Sequence, residues 1–169
     1  MPTLNSAKVG ACAAFSLSTP VDIGEATHEA NWSPSYGFTD GAGANQAKSV
    51  FADERTLAAS ANESLDLAGG LTDVFGNSIT FTKIKAIIIQ AAAANSNDVL
   101  VGGAASNGFT SFVGAADDTI KVKPGGMFMI VAPDANGLAV TAGTGDLLKI
   151  ANSAGGSGVT YKIIIIGVA

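Results

Sequence analysis

Residues 160–169 read TYKIIIIGVA. Isoleucine is β-branched and favours extended backbone, so the run Ile163 to Ile166 reads as strand. Successive strand side chains point to opposite faces. Four isoleucines in a row therefore place apolar groups on both faces, whereas a sheet with one wet face alternates apolar and polar residues. One cover for this strand is an opposing sheet. The second is a neighbouring subunit or a loop of the same chain.

The rest of the chain supports the strand reading. Further continuous apolar runs are AIII (86–89) and MFMIVA (127–132). Glycine and asparagine interrupt the sequence at short intervals, in AGG (68–70), FGN (75–77), NSND (95–98), VGG (101–103), SNG (106–108), KPGG (123–126), PDANG (133–137), AGTGD (142–146) and SAGGSG (153–158). Short apolar runs separated by turn signals read as an all-β sandwich or barrel. Strands are expected over 8–17, 50–58, 62–68, 77–90, 97–102, 109–113, 118–123, 127–132, 137–142, 146–152 and 158–168. In NSITFTKIKAIIIQ (77–90), Ile79, Phe81, Lys83 and Lys85 share one face, and the strand passes from a half-wet to a two-sided region. No stretch carries helical periodicity; LTDVFG (71–76) is read as a single turn at most. PDANG fits a type I turn.

Apolar residues make up 47% of the 169 residues and charged ones 14%, against roughly 25% charged in a typical soluble domain. Mean hydropathy is +0.36. So few charges imply that part of the surface is covered by another copy or another protein. No apolar run approaches the roughly 20 residues of a membrane-spanning helix, and the continuous runs and sparse aromatics do not fit an outer-membrane barrel. Net charge is −5. The lysines are scattered with no basic stripe, so direct nucleic-acid binding is not expected.

Residues 18–47, STPVDIGEATHEANWSPSYGFTDGAGANQA, differ in kind. They contain Asp22, Glu25, Glu29 and Asp40 but neither lysine nor arginine. The chain divides into residues 1–49, an N-terminal strand followed by this acidic, aromatic-containing segment, and residues 50–169, a β-sandwich domain. The segment reads as an extended arm or long loop anchored by Trp32, Tyr36 and Phe38. These aromatics either dock on a partner or fold back on their own domain.

Candidate chemistry is sparse. His28 is the sole histidine, and no serine sits in GxSxG, so no hydrolase triad is formed. One cysteine, Cys12, and one histidine cannot make a zinc site; Cys12 reads as a small buried hydrophobe. VGAC (9–12) lacks the apolar run that precedes a lipoprotein cleavage site. Asp117–Asp118 and the DANG turn lack calcium-loop spacing. TAGTGDLLK places Asp146 where a bound phosphate would sit, which argues against a phosphate loop. No catalytic residue, cofactor or metal is expected, and the chain is not read as an enzyme. Two KxK pairs, Lys83/Lys85 and Lys121/Lys123, each read as one solvated face that discourages edge pairing, or as contacts for the acidic arm of a neighbouring copy.

RTLAASANESLDLAGGLTDVFGNSITFTKIKAIII (55–89), VGGAASNGF (101–109), KPGGMFMIVAPDANGLAVTAGTGDLLKIANSAG (123–155) and TYKIIIIG (160–167), in that order, resemble a recurring domain of tailed double-stranded DNA bacteriophages, among small virion structural proteins of the capsid decoration, or cement, kind. The resemblance implies a jelly-roll-like β-sandwich without enzymatic activity. It further implies a protein made in the host cytoplasm that sits on the outer surface of the capsid, binds the major capsid protein and oligomerises, as trimers. Two alternatives are a tail- or fibre-associated structural protein and a lectin-like carbohydrate-binding module, for which NWSPSYGFTD (31–40) would supply aromatics beside Asp and Asn.

Overall fold

A computed structural model describes residues 3–169. Every regular element among the described residues is a β-strand, and no α-helix occurs. The N-terminal strands are β1 (Ala7–Gly10), β2 (Ala13–Pro20), β3 (Glu25–Trp32), β4 (Ser35–Asp40) and β5 (Gln46–Ala47). Next come β6 (Ser49–Leu57), β7 (Asn62–Asp66), β8 (Leu71–Thr72), β9 (Ser78–Ile79), β10 (Lys83–Ala91) and β11 (Val99–Gly102). The chain ends with β12 (Thr119–Val122), β13 (Met127–Val131), β14 (Leu138–Ala139), β15 (Leu147–Asn152) and β16 (Val159–Val168).

Eight of the longer strands build the body as one folded-back antiparallel hairpin. Going inward from its ends, β6 pairs β16, β7 pairs β15, β10 pairs β13 and β11 pairs β12. Two further antiparallel pairings, β10 with β16 and β11 with β15, roll these pairs into two sheets. One sheet has the order β13-β10-β16-β6, with β14 added on β10; the other has the order β12-β11-β15-β7. Neither sheet closes on itself.

The two sheets share one core. Ile84, Ile87 and Ile89 of β10 and Tyr161, Ile163 and Ile165 of β16 meet Val99, Val101, Leu148, Ile150, Leu65 and Val122 of the facing sheet. Alternation along each strand assigns these residues to the inner face, and β-branched side chains fill a pleated, half-buried surface well. Phe109 and Phe112 stack at 5.7 Å between ring centroids at one end.

The four isoleucines divide between two layers. Ile163 and Ile165 are fully buried in the main core, while Ile166 packs on the outer face in a second cluster with Ala86, Val9, Phe38 and Ala47. That outer cover belongs to the same chain: β1, β4 and β5 form a small sheet lying across β10 and β16. The cover is incomplete. By register, the outer face presents the row Val131–Ala86–Ile166–Val50 beneath it and then the row Met129–Ile88–Ile164–Ala52. Ile164 in the second row is 39% exposed.

Several sequence expectations need correction. Strand 77–90 is broken into β9 and β10 because Phe81 turns into the core and its N–H, with that of Thr82, donates to the carbonyls of Leu67 and Val168. The β10–β16 register also shifts between Ile84 and Ala86, a bulge that turns Lys85 off the expected wet face into a buried position. Residues 109–113 form no strand; Phe109 is instead a core anchor whose N–H donates to Leu147. LTDVFG is not a helical turn but the start of the β8–β9 hairpin, closed by Asp73 Oδ1 accepting from the N–H groups of Phe75 and Asn77. At PDANG, Asp134 Oδ1 accepts from Asn136 and Gly137 N–H, and Gly137 sits at φ +60°, which glycine adopts at no steric cost.

The largest difference lies in the expected arm. It is not irregular: β1–β2 and β3–β4 form one long antiparallel ribbon. A single register runs from Ala7↔Phe38 through Ala13↔Trp32 to Pro20↔Glu25, bridged by Ala11 N–H donating to Pro34 at 3.1 Å. The tip closes through Val21 N–H donating to Gly24, which lies at φ +91°.

Candidate functional site

The ribbon's two halves share a register but not an environment. Its base, β1 and β4, is the cover that buries Val9 and Phe38. Beyond it, every residue from Cys12 to Ser33 is exposed. Directly paired residues in an antiparallel ladder point to the same side. One face of the distal half therefore carries Ala13, Phe15, Leu17 and Thr19 with their partners Trp32, Ala30, His28 and Ala26. The other carries Ala14, Ser16, Ser18 and Pro20 with Asn31, Glu29, Thr27 and Glu25. The first face is apolar and bears no carboxylate; the second is polar and acidic.

The apolar face stands open. Trp32 is 66% exposed, Leu17 63% and Phe15 50%, and Ile23 at the tip is 95% exposed. His28 belongs to this face, its ring 5.7 Å from that of Phe15. Its neighbours on this face by register are Phe15, Leu17, Thr19, Ala26 and Ala30. Large exposed apolar side chains grouped on one element mark an interaction surface.

The candidate residues from the sequence are thus separated. Trp32 lies on the open distal face. Tyr36 is partly exposed where the ribbon joins the body, and Phe38 is buried beneath the cover, folded back on its own chain. Lys83 Nζ donates to the Ala135 carbonyl at 2.9 Å, and buried Lys85 donates to the carbonyl of Asp134. Both lysines therefore hold the PDANG turn, and Lys85 is not part of a solvated face. Burial, with Lys83 nearby, lowers the pKa of Lys85. Lys121 and Lys123 are exposed on the outer face of the second sheet, where Lys123 pairs with Asp98 at 3.0 Å. Cys12, expected in the core, is exposed at the root of the distal ribbon.

Phe15 and Leu17 escaped the sequence reading as candidate contact residues, and the runs holding Ile88, Met129 and Ile164 were read as needing a second cover without being joined into one row. The signal for the first two was present as alternation in AAFSLS (13–18) and EATHEANW (25–32).

The other polar cluster is structural. A groove of about 520 Å³ between the edges β6 and β7 is lined by Asp53, Arg55, Glu63, Asp66 and Asp73. Arg55 Nε donates to Glu63 at 2.7 Å, and the Tyr161 hydroxyl donates to the same carboxylate at 2.7 Å. The hydrogen bond to Glu63 keeps Arg55 charged, and burial followed by that bond pushes the Tyr161 phenol above its usual range. Asp66 and Asp73 are committed to backbone N–H groups. Among the described residues no group of three or more His, Cys, Asp or Glu is placed to hold a metal, and no helix is long and apolar enough to cross a membrane.

The chain matches no protein-family model, no curated protein sequence and no solved structure.

Proposed function

We propose that the chain is a bacteriophage virion structural protein, a capsid decoration protein that binds the shell of major capsid protein from outside and stabilises it. The observation that carries this reading is the distal ribbon, whose ordered apolar face its own chain leaves uncovered, so that it calls for assembly with further subunits, as the action of a decoration protein does. Such a face is stabilised only when a partner covers it, at about 1.5–3 kcal/mol for each large side chain fully buried. Two features add support. The motif order over residues 50–168 resembles that of phage decoration proteins. The eight-strand folded-back hairpin, rolled so that sequence-adjacent strands occupy matching places in the two sheets, suits a jelly roll, a double-sheet fold used in viral capsid domains.

The mechanism is thermodynamic. Contacts made only in the assembled shell stabilise it by mass action. Copies joined as trimers engage several capsid subunits at once, so individually weak patches combine. Lys121, and Lys123 with its partner Asp98, are exposed where the acidic ribbon of a neighbouring copy could meet them.

A sugar-binding reading has less support. Trp32 lies on the apolar face, while Asn31 and Glu29, the polar groups a sugar would need beside it, lie on the opposite one. The test compares phage particles with and without the protein. Decoration predicts many copies per particle and a lower disruption temperature for particles lacking it. Copies confined to the tail would refute the capsid location and favour a tail-associated structural role. Selective glycan binding abolished by Trp32→Ala would favour the lectin.

A further inference from the structure

We infer that the distal apolar face of the ribbon docks on the outer face of the five-stranded sheet of a second copy, with Phe15, Leu17 and Trp32 covering the row of Met129, Ile88 and Ile164. This rests on the self-association part of the proposed function and not on the virion assignment.

Four observations identify the occupant. First, the ribbon already makes this kind of contact within the chain. Its base, through Val9 and Phe38, covers the row containing Ala86 and Ile166, and the same ribbon face continues outward in unbroken register. Second, the next row on the same sheet is only partly covered: Ile88 and Met129 are half-buried at the margin of the covered cluster while Ile164 and Ala52 are exposed, so the intermolecular contact would extend an existing apolar interface rather than begin a new one. Third, the chain does not satisfy the two surfaces with each other: all of Cys12–Ser33 is exposed, and Ile164 is exposed as well. Fourth, neither surface would bury a charge. The row and the ribbon face carry no carboxylate or ammonium, Asp22, Glu25 and Glu29 lie at the tip or on the opposite face, and the next row of the sheet carries Lys162 and Glu54 already paired with each other. Burying unpaired charge would oppose docking; here the acids stay in water.

The dimensions agree over the three anchors: from Trp32, level with Ala13, to Leu17 is four residue steps of about 3.4 Å, about 14 Å, and the row crosses four strands about 4.8 Å apart, a span of about 15 Å. Donor and receiver are different surfaces, so the contact is head-to-tail. Head-to-tail contacts generate a ring when the rotation closes, in keeping with a trimer.

This asymmetry makes the inference testable with purified full-length chain by sedimentation velocity. Phe15→Glu spoils the donor and Ile164→Glu the receiver. Each is expected to raise the dissociation constant by about a hundredfold, with far-ultraviolet circular dichroism unchanged. Mixed in equal amounts, the two variants should form dimers, because one retains an intact arm and the other an intact row. If Ile164→Glu fails to fold, Ala52→Glu at an exposed position of the same row serves instead. Assembly of Ile164→Glu and Ala52→Glu as in the unmodified chain, or no recovery on mixing, overturns the inference in favour of arm-to-arm packing. An unmodified chain that stays monomeric at all concentrations overturns it together with the self-association reading, while capsid binding is judged separately on particles.

Discussion

Val9 and Phe15 stand on the same face of the same ribbon, as do Phe38 and Trp32 across from them, yet the first of each pair is buried and the second is exposed. Backbone pairing is alike in the two halves. What separates them is cover: the base lies on Ala86 and Ile166, and the distal half extends past them. A ladder of hydrogen bonds alone contributes little net stability, and an isolated two-stranded hairpin is marginal in water. The base therefore belongs to the folding unit, whereas the distal half is left for the contacts proposed above.

The largest expected effect tests this contrast directly. Phe38→Ala should destabilise the folded chain by about 3–5 kcal/mol through a buried cavity, whereas Phe15→Ala should change monomer stability by no more than about 0.5 kcal/mol. Chemical denaturation of both variants at low concentration measures the difference, and equal losses would break the comparison. The same contrast holds along β16. Ile165→Ala should lose about 2–5 kcal/mol, and Ile164→Ala well under half of that, because Ile164 has lost only part of its solvent exposure.

A smaller effect concerns Tyr161. Its phenol is held neutral by burial and by its bond to Glu63, while in the unfolded chain it ionises near pH 10. A group whose folded pKa is raised contributes stability that is present below the unfolded value and lost as pH rises beyond it. Stability should therefore fall above about pH 10, and Tyr161→Phe should flatten that fall while losing about 1 kcal/mol at neutral pH. Lys85 opposes this. Its folded pKa is lowered, so its charge is a penalty below the ordinary lysine range that vanishes as pH rises through it. Lys85→Met should thus steepen the net alkaline fall, as read from unfolding curves at increasing pH. The smallest effect is at Asp134. Two backbone N–H groups hold its carboxyl below the usual carboxylate range. Its contribution is present above about pH 4 and lost as pH falls further, a change visible in the titration of its carboxyl resonance.

How far the sequence was readable also divides along the ribbon. In the body, alternation and turn residues place most strands within a few positions, because each run is bounded by glycine or asparagine and filled by β-branched residues. Among the exceptions, Phe81 and Lys85 follow a strand break and a bulge, and one inserted residue reverses the expected side; the expected strand 109–113 is absent altogether. Residues 18–47 looked irregular because Pro20, Pro34, alanines and acids dilute the strand signal. The alternation of Phe15 and Leu17 against Ala26, His28, Ala30 and Trp32 emerges only when both strands are aligned about Asp22–Ile23. The second face of TYKIIIIGVA was correctly read as needing cover, but pattern alone did not tell a segment of the same chain from a neighbour. The structure answers with both a cover, at Ile166, and a gap, at Ile164.

Tryptophan fluorescence tests most directly whether assembly covers the distal ribbon face. Trp32 is the chain's only tryptophan and lies on that face, so its fluorescence reports the face alone. Trp32 should be red-shifted and quencher-accessible in dilute monomer and turn blue-shifted and protected as concentration rises or as capsid shells are added. A Trp32 that stays solvent-accessible in assembled oligomer and on shells would contradict it.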